Sequence, residues 1–369
     1  MYIMWDCPST LRLTMTLLLT LTSYNTQISN NNFVMDMSFR ELRYKVSFAE
    51  NAEDVITAGE IMRDIMHLSS REVSRCKKFS DGVMVIRNAE NEVIDSDTIN
   101  QKSSFAIDEL REASNKKMLP IRLIDNLFPG DELIVRVYED NENAGDIVPV
   151  DGPIEVVYED EDLIVLNKPG DMVVHPSYAH YRDSLSNYLA GYFEKTGQNH
   201  VIRTIGRLDR ETSGLVIFAK NRHSAALLSK QKENMSRRKE YLALCQGVFE
   251  VSDGTINAPI ERKENDRMIR EVNPNGKEAI THYHVEKQYD DYALVRLKLD
   301  TGRTHQIRVH MSYIGHPLLG DNFYGKEIED NHGMTRAALH AGYIEFAQPI
   351  SGEIIKLKSM LPSDMQNLV

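Results

Sequence analysis

Ten residues near the middle of the chain, GRLDRETSGL at positions 206–215, constrain the fold more than any other stretch. An apolar pair at 201–202 precedes them and another at 216–217 follows them. Thr, Ser and Gly between two apolar runs are typical of a tight turn that joins strands. The turn presents Asp209 between two arginines, whose charge favours the carboxylate form. A solvated cluster of surface ion pairs is the alternative interpretation, because such clusters are common and contribute little to stability.

The order of residues in this stretch resembles the signature of the RluA family of RNA pseudouridine synthases. Three further blocks resemble the same family in the same order: LIVLNKPGDMVVHP at 163–176, KEYLALCQG at 239–247 and TGRTHQIRVH at 301–310. The segments GHPLLGDNFYG at 315–325 and RAALHA at 336–341 also fit. The resemblance spans residues 156–362, and four blocks in one order make a chance agreement improbable.

The resemblance implies three catalytic residues. Asp209 matches the family's catalytic aspartate, and a carboxylate is a competent covalent partner. Tyr241 matches an active-site tyrosine, whose ring stacks on a base and whose hydroxyl takes part in proton transfer. Arg308 matches an arginine that pairs with the catalytic aspartate, for which we expect a forked contact between the guanidinium and Asp209. Taken alone, a tyrosine in a strand is more often a core residue.

Basic residues near these blocks are the expected RNA contacts. Residues 201–239 hold ten Lys or Arg against three acids, although the formal net charge of the whole chain is −12. Phosphate binding depends on such local patches rather than on the total charge. From this region we expect Arg207, Arg210 and Lys239 to contact RNA. Many relatives have His where this chain has Gly206, a position that we expect to tune RNA contact rather than chemistry.

The first part of the chain is similar to an S4-type RNA-binding domain. Alternation predicts a strand at 40–48, and a helical pattern at 58–67 leads to a short helix capped by Ser69 or Ser70. Arg71, Arg75 and Lys78 recur at spacings of four and three, which predicts one basic face that binds RNA. A strand at 83–86 and a Pro-Gly-Asp turn into a last strand at 133–137 complete the resemblance. A small α+β domain with a solvated basic helix is the alternative.

Composition sets the domain boundaries. Residues 138–162 carry ten acids and no base, and their Asn, Gly and Pro indicate an acidic linker. The apolar run at 11–21 is too short to span a membrane. We therefore predict a non-globular N-terminal extension at 1–37, an S4-like domain at 38–140, a linker at 141–155 and a catalytic domain at 156–369.

Strands dominate the last of these regions. Strands are predicted at 154–157, 163–166, 215–219, 241–246, 281–285 and 293–299, and helices at 185–193 and 224–230. This pattern predicts an α+β fold with a largely antiparallel mixed sheet, and the resemblance implies the same fold for the catalytic domain, with a small S4-like α+β domain before it.

We therefore expect an isomerase that converts uridines of structured RNA, in particular large-subunit ribosomal RNA, to pseudouridine. A non-catalytic RNA-binding or ribosome-assembly protein on the same fold is the alternative, and the retained catalytic residues disfavour it. The reaction involves no redox change, so no cofactor is expected. No Cys-x-x-Cys pair occurs, and the spacing of His305 and His310 suits no metal site, so we expect no metal either. Three scattered cysteines fit a reducing cytoplasm, and we expect a monomer without membrane association.

Overall fold

The computed structural model describes residues 39–47, 56–87, 118–139, 147–234, 237–266, 268–326 and 330–369. They form two compact units, one that ends at Tyr138 and one that begins at Glu139. The predicted N-terminal extension at 1–37 lies outside the described residues, as does the first part of the predicted linker.

The first unit contains a four-stranded antiparallel sheet in the order β1-β6-β3-β4 and a separate two-stranded pair, β2-β5. Its strands are β1 (Phe39–Lys45), β2 (Ile56–Thr57), β3 (Val83–Ile86), β4 (Met118–Pro120), β5 (Asn126–Leu127) and β6 (Glu132–Tyr138). Its helical segments are α1 (Ala58–Glu60), which continues as a π-helical turn over Ile61–Ile65, and α2 (Ser70–Cys76). The predicted strands and helices of this region are confirmed as elements, whereas the S4-like assignment stays a prediction.

The capping of α2 resolves one choice and corrects one prediction. Ser69 caps the helix, because its hydroxyl accepts from the backbone N–H of Glu72 while the Glu72 carboxylate accepts from the backbone N–H of Ser69. The helix ends at Cys76, so Lys78 does not lie on its face as predicted. The Lys78 backbone N–H instead donates to the Arg75 carbonyl in the turn that follows. Arg71 and Lys78 are exposed and Arg75 is half-buried.

The second unit is built on a ten-stranded sheet whose main path is β12-β15-β16-β11-β17-β10-β8-β7, with β18 beside β17 and β9 beside β10. Its strands are β7 (Val156–Glu159), β8 (Leu163–Lys168), β9 (Arg203–Thr204), β10 (Ser213–Ala219), β11 (Arg238–Gln246), β12 (Asp253–Asn257), β15 (Ile280–Gln288), β16 (Tyr292–Leu299), β17 (Leu339–Ala347) and β18 (Ile354–Lys358). A separate antiparallel pair joins β13 (Ile260–Arg262) and β14 (Arg270–Val272). The helices are α3 (Leu185–Lys195), α4 (Arg222–Glu233), α5 (Gln306–Tyr313) and α6 (Ser363–Gln366).

Strand β10 is an interior strand of this sheet, between β17 and β8. All seven of its residues, SGLVIFA, are buried, as a strand covered on both faces requires. It pairs antiparallel with β8, and with β17 it forms the parallel pairing of the sheet, which is short and joins Ser213 to His340 and Gly214 to Ala341. Gly214 has φ of 112°, and a Cβ there would lie 2.4 Å from the Ala341 carbonyl oxygen. The Thr-Ser-Gly signature is therefore needed for a close approach of two backbones.

The segment 147–155, predicted as linker, packs on α3. The Asn187 side-chain amide donates to the Val148 carbonyl at 2.8 Å, and the Val150 backbone N–H donates to the Asn187 carbonyl at 3.1 Å. A Cβ on Gly191 would meet the Val150 carbonyl oxygen at 2.2 Å. Residues 147–155 contain no helix or strand, and these contacts hold them on α3 within the second unit.

The fold is α+β with a largely antiparallel sheet, as the strand pattern predicted. The hairpin of β7 and β8 and the predicted helices at 185–193 and 224–230 are confirmed, with boundaries that differ by a few residues. Within the described ranges, no helix combines the length and the apolar character needed to cross a bilayer.

Candidate active site

The GRLDRETSGL stretch forms a loop that leads from β9 into β10. Residues 205–212, here called the motif loop, are closed by a hydrogen bond from the Thr212 backbone N–H to the Asp209 carbonyl at 3.2 Å. Gly206 has φ of 86°, a conformation that favours glycine, and the Leu208 side chain is buried among core residues of β8 and β10. Burial of Leu208 fixes the loop, and the next residue, Asp209, is half-buried at the cavity wall.

The motif loop borders a cavity of about 610 Å³, within the range of ~300–1,000 Å³ that is typical of small-ligand sites. The predicted catalytic residues Asp209, Tyr241 and Arg308 all line it, from the motif loop, β11 and α5. Of the predicted RNA contacts, Arg207 and Lys239 line it as well, whereas Arg210 does not. The cavity therefore gathers residues that are about a hundred positions apart in the sequence.

Positive charge dominates the lining of this cavity. Six lining residues are Lys or Arg and two are acids, namely Arg207, Arg237, Lys239, Lys298, Arg303 and Arg308 against Asp209 and Asp300. The local potential therefore suits a polyanion in spite of the negative total charge.

The Asp209 carboxylate forms no hydrogen bond or ion pair with any residue that the structure describes. Its two neighbouring arginines point elsewhere. Arg207 donates a long hydrogen bond of 3.4 Å to the Thr304 hydroxyl, and Arg210 lies 3.7 Å from Asp171. The flanking arginines therefore do not hold Asp209 by direct contact, and its oxygens are left for a ligand.

Arg308 makes a forked contact, but with a different acid from the one predicted. Its Nε and Nη2 donate to the two carboxylate oxygens of Asp321 at 2.7 and 2.6 Å, and Nη2 also lies 2.9 Å from Glu211. The expectation that the fork joins Arg308 to Asp209 is wrong in this structure. Asp321 and Glu211, and not Asp209, are the direct partners of the buried guanidinium. Burial acts to lower the pKa of Arg308, but the contacts with these acids outweigh burial and raise the pKa.

Glu211 links the motif loop to two other parts of the chain. Its carboxylate contacts Arg308 and accepts from the Ala337 backbone N–H at 3.2 Å. Its carbonyl accepts from Arg336 Nη1 at 2.9 Å, and Arg336 in turn makes a fork with Asp364 of α6. Both the side chain and the backbone of Glu211 are thus fixed, two residues beyond Asp209.

Lys168, the last residue of β8, also binds the backbone of the motif loop. Its ammonium is fully buried and donates to the carbonyls of Pro169, Met172 and Arg210 at 2.8, 2.7 and 3.0 Å. Burial, aided by the charge of Arg336, lowers its pKa from the ordinary lysine value to about 7. The Lys-Pro-Gly segment therefore has a structural role, because its lysine binds the backbone of the motif loop.

Tyr241 presents its ring and hydroxyl to the cavity. No described residue forms a hydrogen bond with the hydroxyl, and Lys239 Nζ lies 5.4 Å from the ring centroid. Burial raises the pKa of Tyr241, Arg237 opposes the rise, and the charge of Asp209 adds to it. The phenol is therefore neutral at physiological pH and available both to donate and to accept a proton.

Three more groups at the cavity wall are notable. The hydroxyls of Thr204 and Thr212 are buried without a hydrogen-bond partner, a state that is rare outside functional sites. His305 begins α5 in a left-handed conformation with φ of 58°, and its Nδ1 lies 3.0 Å from the Tyr324 hydroxyl. In the part of the chain that the structure describes, no cluster of three His, Cys, Asp or Glu side chains is arranged to hold a metal.

Sequence reasoning missed Asp321 and Glu211 as members of the site. Asp321 stands in the block GHPLLGDNFYG, which carried part of the family resemblance but received no role. Its Oδ1 also accepts from the backbone N–H groups of Phe323 and Tyr324 at 2.9 and 3.0 Å, so the block folds around this carboxylate. An acid followed by a turn and two aromatic residues was the available signal.

Comparison with known proteins agrees with this geometry. The model of the RNA pseudouridylate synthase family matches residues 162–313. The chain is 42% identical to the RNA pseudouridine synthase YlyB of Bacillus subtilis over 245 aligned residues. The alignment covers 65% of this chain and 79% of that protein. It is 35% identical to the ribosomal large subunit pseudouridine synthase D of Haemophilus influenzae over 249 aligned residues. This alignment covers 64% of this chain and 75% of that protein.

A solved structure, the human RNA pseudouridylate synthase domain containing 1, superimposes with a TM-score of 0.49 and 29% identity, over 56% of this chain and 83% of that one. The sequence matches to YlyB and to the Haemophilus influenzae synthase, at 42% and 35% identity, show the class of protein. The chain belongs to the RluA family of RNA pseudouridine synthases. It is accordingly an isomerase that converts uridine in RNA to pseudouridine.

Proposed function

We propose that this enzyme modifies a uridine of structured large-subunit ribosomal RNA and that Asp209 is its nucleophile. The observation that carries the proposal is the unpartnered Asp209 carboxylate in a cationic cavity where the neighbouring acids are neutralised. Relatives from Haemophilus influenzae and Vibrio parahaemolyticus, 35% and 37% identical, bear the name ribosomal large subunit pseudouridine synthase D, which supports the choice of RNA.

The reaction breaks the bond between N1 and C1′, turns the uracil and rejoins it through C5. Asp209 attacks C1′ as N1 departs, and C5 then displaces the carboxylate from C1′. The proton lost from C5 balances the proton gained at N1, so no oxidant or reductant takes part. A second route, in which Asp209 removes a proton from the sugar, uses the same position of the carboxylate.

The other groups of the cavity suit the detached base. The Tyr241 ring stacks on the uracil, and its hydroxyl passes a proton between carbon and nitrogen positions. Arg308 acts as a positioning residue, because it reaches the loop through Glu211.

RNA binding is proposed for two surfaces. Around the cavity, Arg207 and Lys239 contact phosphates, and Arg210 does so from outside the lining. In the first unit, Arg71 and Lys78 present exposed charge beside α2, with Arg75 half-buried between them. We assign an S4-like RNA-binding role to that unit. Because target uridines must leave their stack, loops and bulges of folded RNA are the preferred substrate.

We also propose that the enzyme acts as a monomer in the cytoplasm. Asp209, Tyr241 and Arg308 meet at one cavity within a single chain, which supports this proposal. Cys76 and Cys245 are buried free thiols, which fit a reducing compartment.

Mapping of pseudouridine in total RNA from cells with and without the gene tests this function. We expect one or a few large-subunit ribosomal positions to lose the modification and to regain it with the parent gene but not with Asp209→Asn. Loss of a signal in another RNA class would overturn the ribosomal substrate while retaining the activity. An unchanged map in cells that express the protein would contradict the proposal as a whole.

A further inference from the structure

A short hairpin stands beside the cavity, between His175 and the first turn of α3. Ser177 and His180 pair through two backbone hydrogen bonds of 3.0 and 3.1 Å, so residues 178–179 form its tip. The His180 ring lies 2.8 Å from Asp183, and Ser184 caps α3. The hairpin is thus ordered at its tip and at its base.

Two tyrosines of this hairpin face solvent. Tyr178 is fully exposed, with a relative accessibility of 106%, and Tyr181 is 56% exposed. Neither ring contacts another aromatic ring in the described part of the chain. Arg182, also exposed, follows directly. An ordered turn therefore presents two flat apolar faces and a cation, although tyrosine normally gains free energy from burial of its ring.

The hairpin is continuous with the site. His175 lines the cavity, and its Nδ1 lies 3.1 Å from the Ser186 hydroxyl of α3. Tyr178 lies three positions after His175, so their Cα atoms are at most about 11 Å apart. That separation corresponds to one or two nucleotides of a single strand. Asp171, just before the hairpin, lies 3.7 Å from Arg210 of the motif loop.

We propose that this hairpin is a stacking platform for an unpaired base next to the target uridine, with Tyr178 as its main contact and Arg182 at the adjoining phosphate. Extrusion of the uridine leaves its neighbours unstacked, and single-stranded bases are bound by aromatic side chains with little sequence preference. The inference deepens the proposed function and rests on it, because the base comes from the same RNA that enters the cavity.

Photo-crosslinking tests directly whether Tyr178 contacts a base of the RNA. The probe is a short oligouridylate with one 5-iodouridine, bound to the full-length Asp209→Asn protein and irradiated, after which the crosslinked peptide is identified by mass spectrometry. We expect a crosslink at Tyr178 or Tyr181 and none at Tyr313. Tyr313 is the matched control, because it is 62% exposed and lies at the far end of α5, about 8 Å along the helix from Arg308, the last residue of α5 that lines the cavity.

Steady-state kinetics test the energetic role with the ribosomal RNA identified by mapping. Tyr178→Leu should raise KM by roughly 5- to 100-fold, the factor that corresponds to one stacked base, with kcat within about twofold. Tyr178→Phe keeps the ring and should match the parent, as should Tyr313→Leu. Since Tyr178 is fully exposed, the melting temperature of each variant should equal that of the parent.

Two results would overturn the platform: crosslinks confined to other residues, or a KM of Tyr178→Leu equal to that of Tyr178→Phe. If no ribosomal RNA is modified, the ribosomal proposal fails, and the oligouridylate crosslink still decides whether the hairpin meets single-stranded RNA.

Discussion

Charged side chains in the floor of the cleft are buried or nearly buried and closely paired, whereas those at its rim are exposed and only weakly paired. The floor comprises the buried or nearly buried groups beneath the motif loop, namely Lys168, Glu211, Arg308, Asp321 and Arg336. The rim comprises four exposed residues, namely Arg207 and Arg210 of the motif loop and Tyr178 and Arg182 of the hairpin that we propose to meet RNA. The contacts of Arg308 with Asp321 and Glu211, and those of the Lys168 ammonium with backbone carbonyls, are 2.6–3.0 Å long. The Arg210 contact at the rim is 3.7 Å long, with both side chains at least half exposed.

The difference shows how a reactive carboxylate stays free in a charged site. The floor holds the motif loop through backbone atoms, because Lys168 binds the Arg210 carbonyl and Arg336 binds the Glu211 carbonyl. Glu211 and Asp321 neutralise Arg308, so Asp209 is left without a partner. The rim is loose, and its cations are available for phosphate. Substitutions in the floor should therefore affect stability, and those at the rim should affect RNA binding.

The largest effect on rate is expected at Asp209, which belongs to neither set. Asp209→Asn should lower the single-turnover rate by at least ~1,000-fold, because the amide keeps the shape and removes the nucleophile. Its free energy of unfolding should stay within about 0.5 kcal/mol of the parent value, since no contact is lost. Chemical quench and urea unfolding measure the two quantities. A variant that retains a tenth of the parent rate would show that Asp209 is not the nucleophile.

The floor is tested most severely at Arg308. Arg308→Met strands Asp321 and Glu211, and loss of one member of a buried pair costs about 3–5 kcal/mol of unfolding free energy. Arg308→Lys should recover only part of this, because an ammonium cannot make the fork. The rim control, Arg210→Met, should change stability by less than about 0.5 kcal/mol. Equal urea midpoints for Arg308→Met and Arg210→Met would contradict the distinction between floor and rim.

The lowered pKa of Lys168 predicts that the free energy of unfolding depends on pH. Its pKa is about 7 in the folded protein and returns to the ordinary 10.5 on unfolding, so between these values the unfolded chain binds the extra proton. The unfolding free energy of the parent should therefore rise relative to Lys168→Met by about 1.4 kcal/mol per pH unit from pH 7 towards pH 10. Below pH 7 the difference should be constant. A Lys356→Met control, at an exposed lysine, should show no such slope, and a flat difference for Lys168→Met would refute the assignment.

Tyr241→Phe separates stacking from proton transfer. The ring stays in the cavity wall and the hydroxyl is lost, so RNA affinity should be unchanged while the single-turnover rate falls by about 100-fold. The hydroxyl has no partner in the described protein, so stability should not fall. A parental single-turnover rate would mean that the phenol takes no part in the chemistry.

The smallest effect is expected from the basic face of the first unit. Reversal of Arg71, Arg75 and Lys78 to Glu should leave kcat unchanged and lower the salt slope of binding to long RNA, by about one unit for each lost phosphate contact. Lys356→Glu serves as the control for a single exposed charge of the second unit. If the triple variant and the parent show the same slope, this face does not bind RNA.

Sequence alone determined much of this molecule. Alternating and fully apolar runs placed the principal strands, because burial on one or both faces leaves a local pattern. The ordered blocks identified Asp209, Tyr241 and Arg308, and the structure brings all three to one cavity. The residue types and their order are local properties, so they could be obtained without the fold.

Tertiary structure decided which charges meet. Asp321 and Glu211 lie 13 and 97 positions from Arg308, and both contact it, whereas Asp209, two residues from Glu211, does not. That choice depends on how the motif loop, α5 and the turn after it are packed together, which is a non-local property. Lys168 is a further case: its ammonium donates to the nearby carbonyls of Pro169 and Met172, but also to the carbonyl of Arg210, a partner that only the fold brings within reach. A guanidinium or ammonium removed from water takes the acceptors that packing places within reach, and no spacing along the chain specifies them.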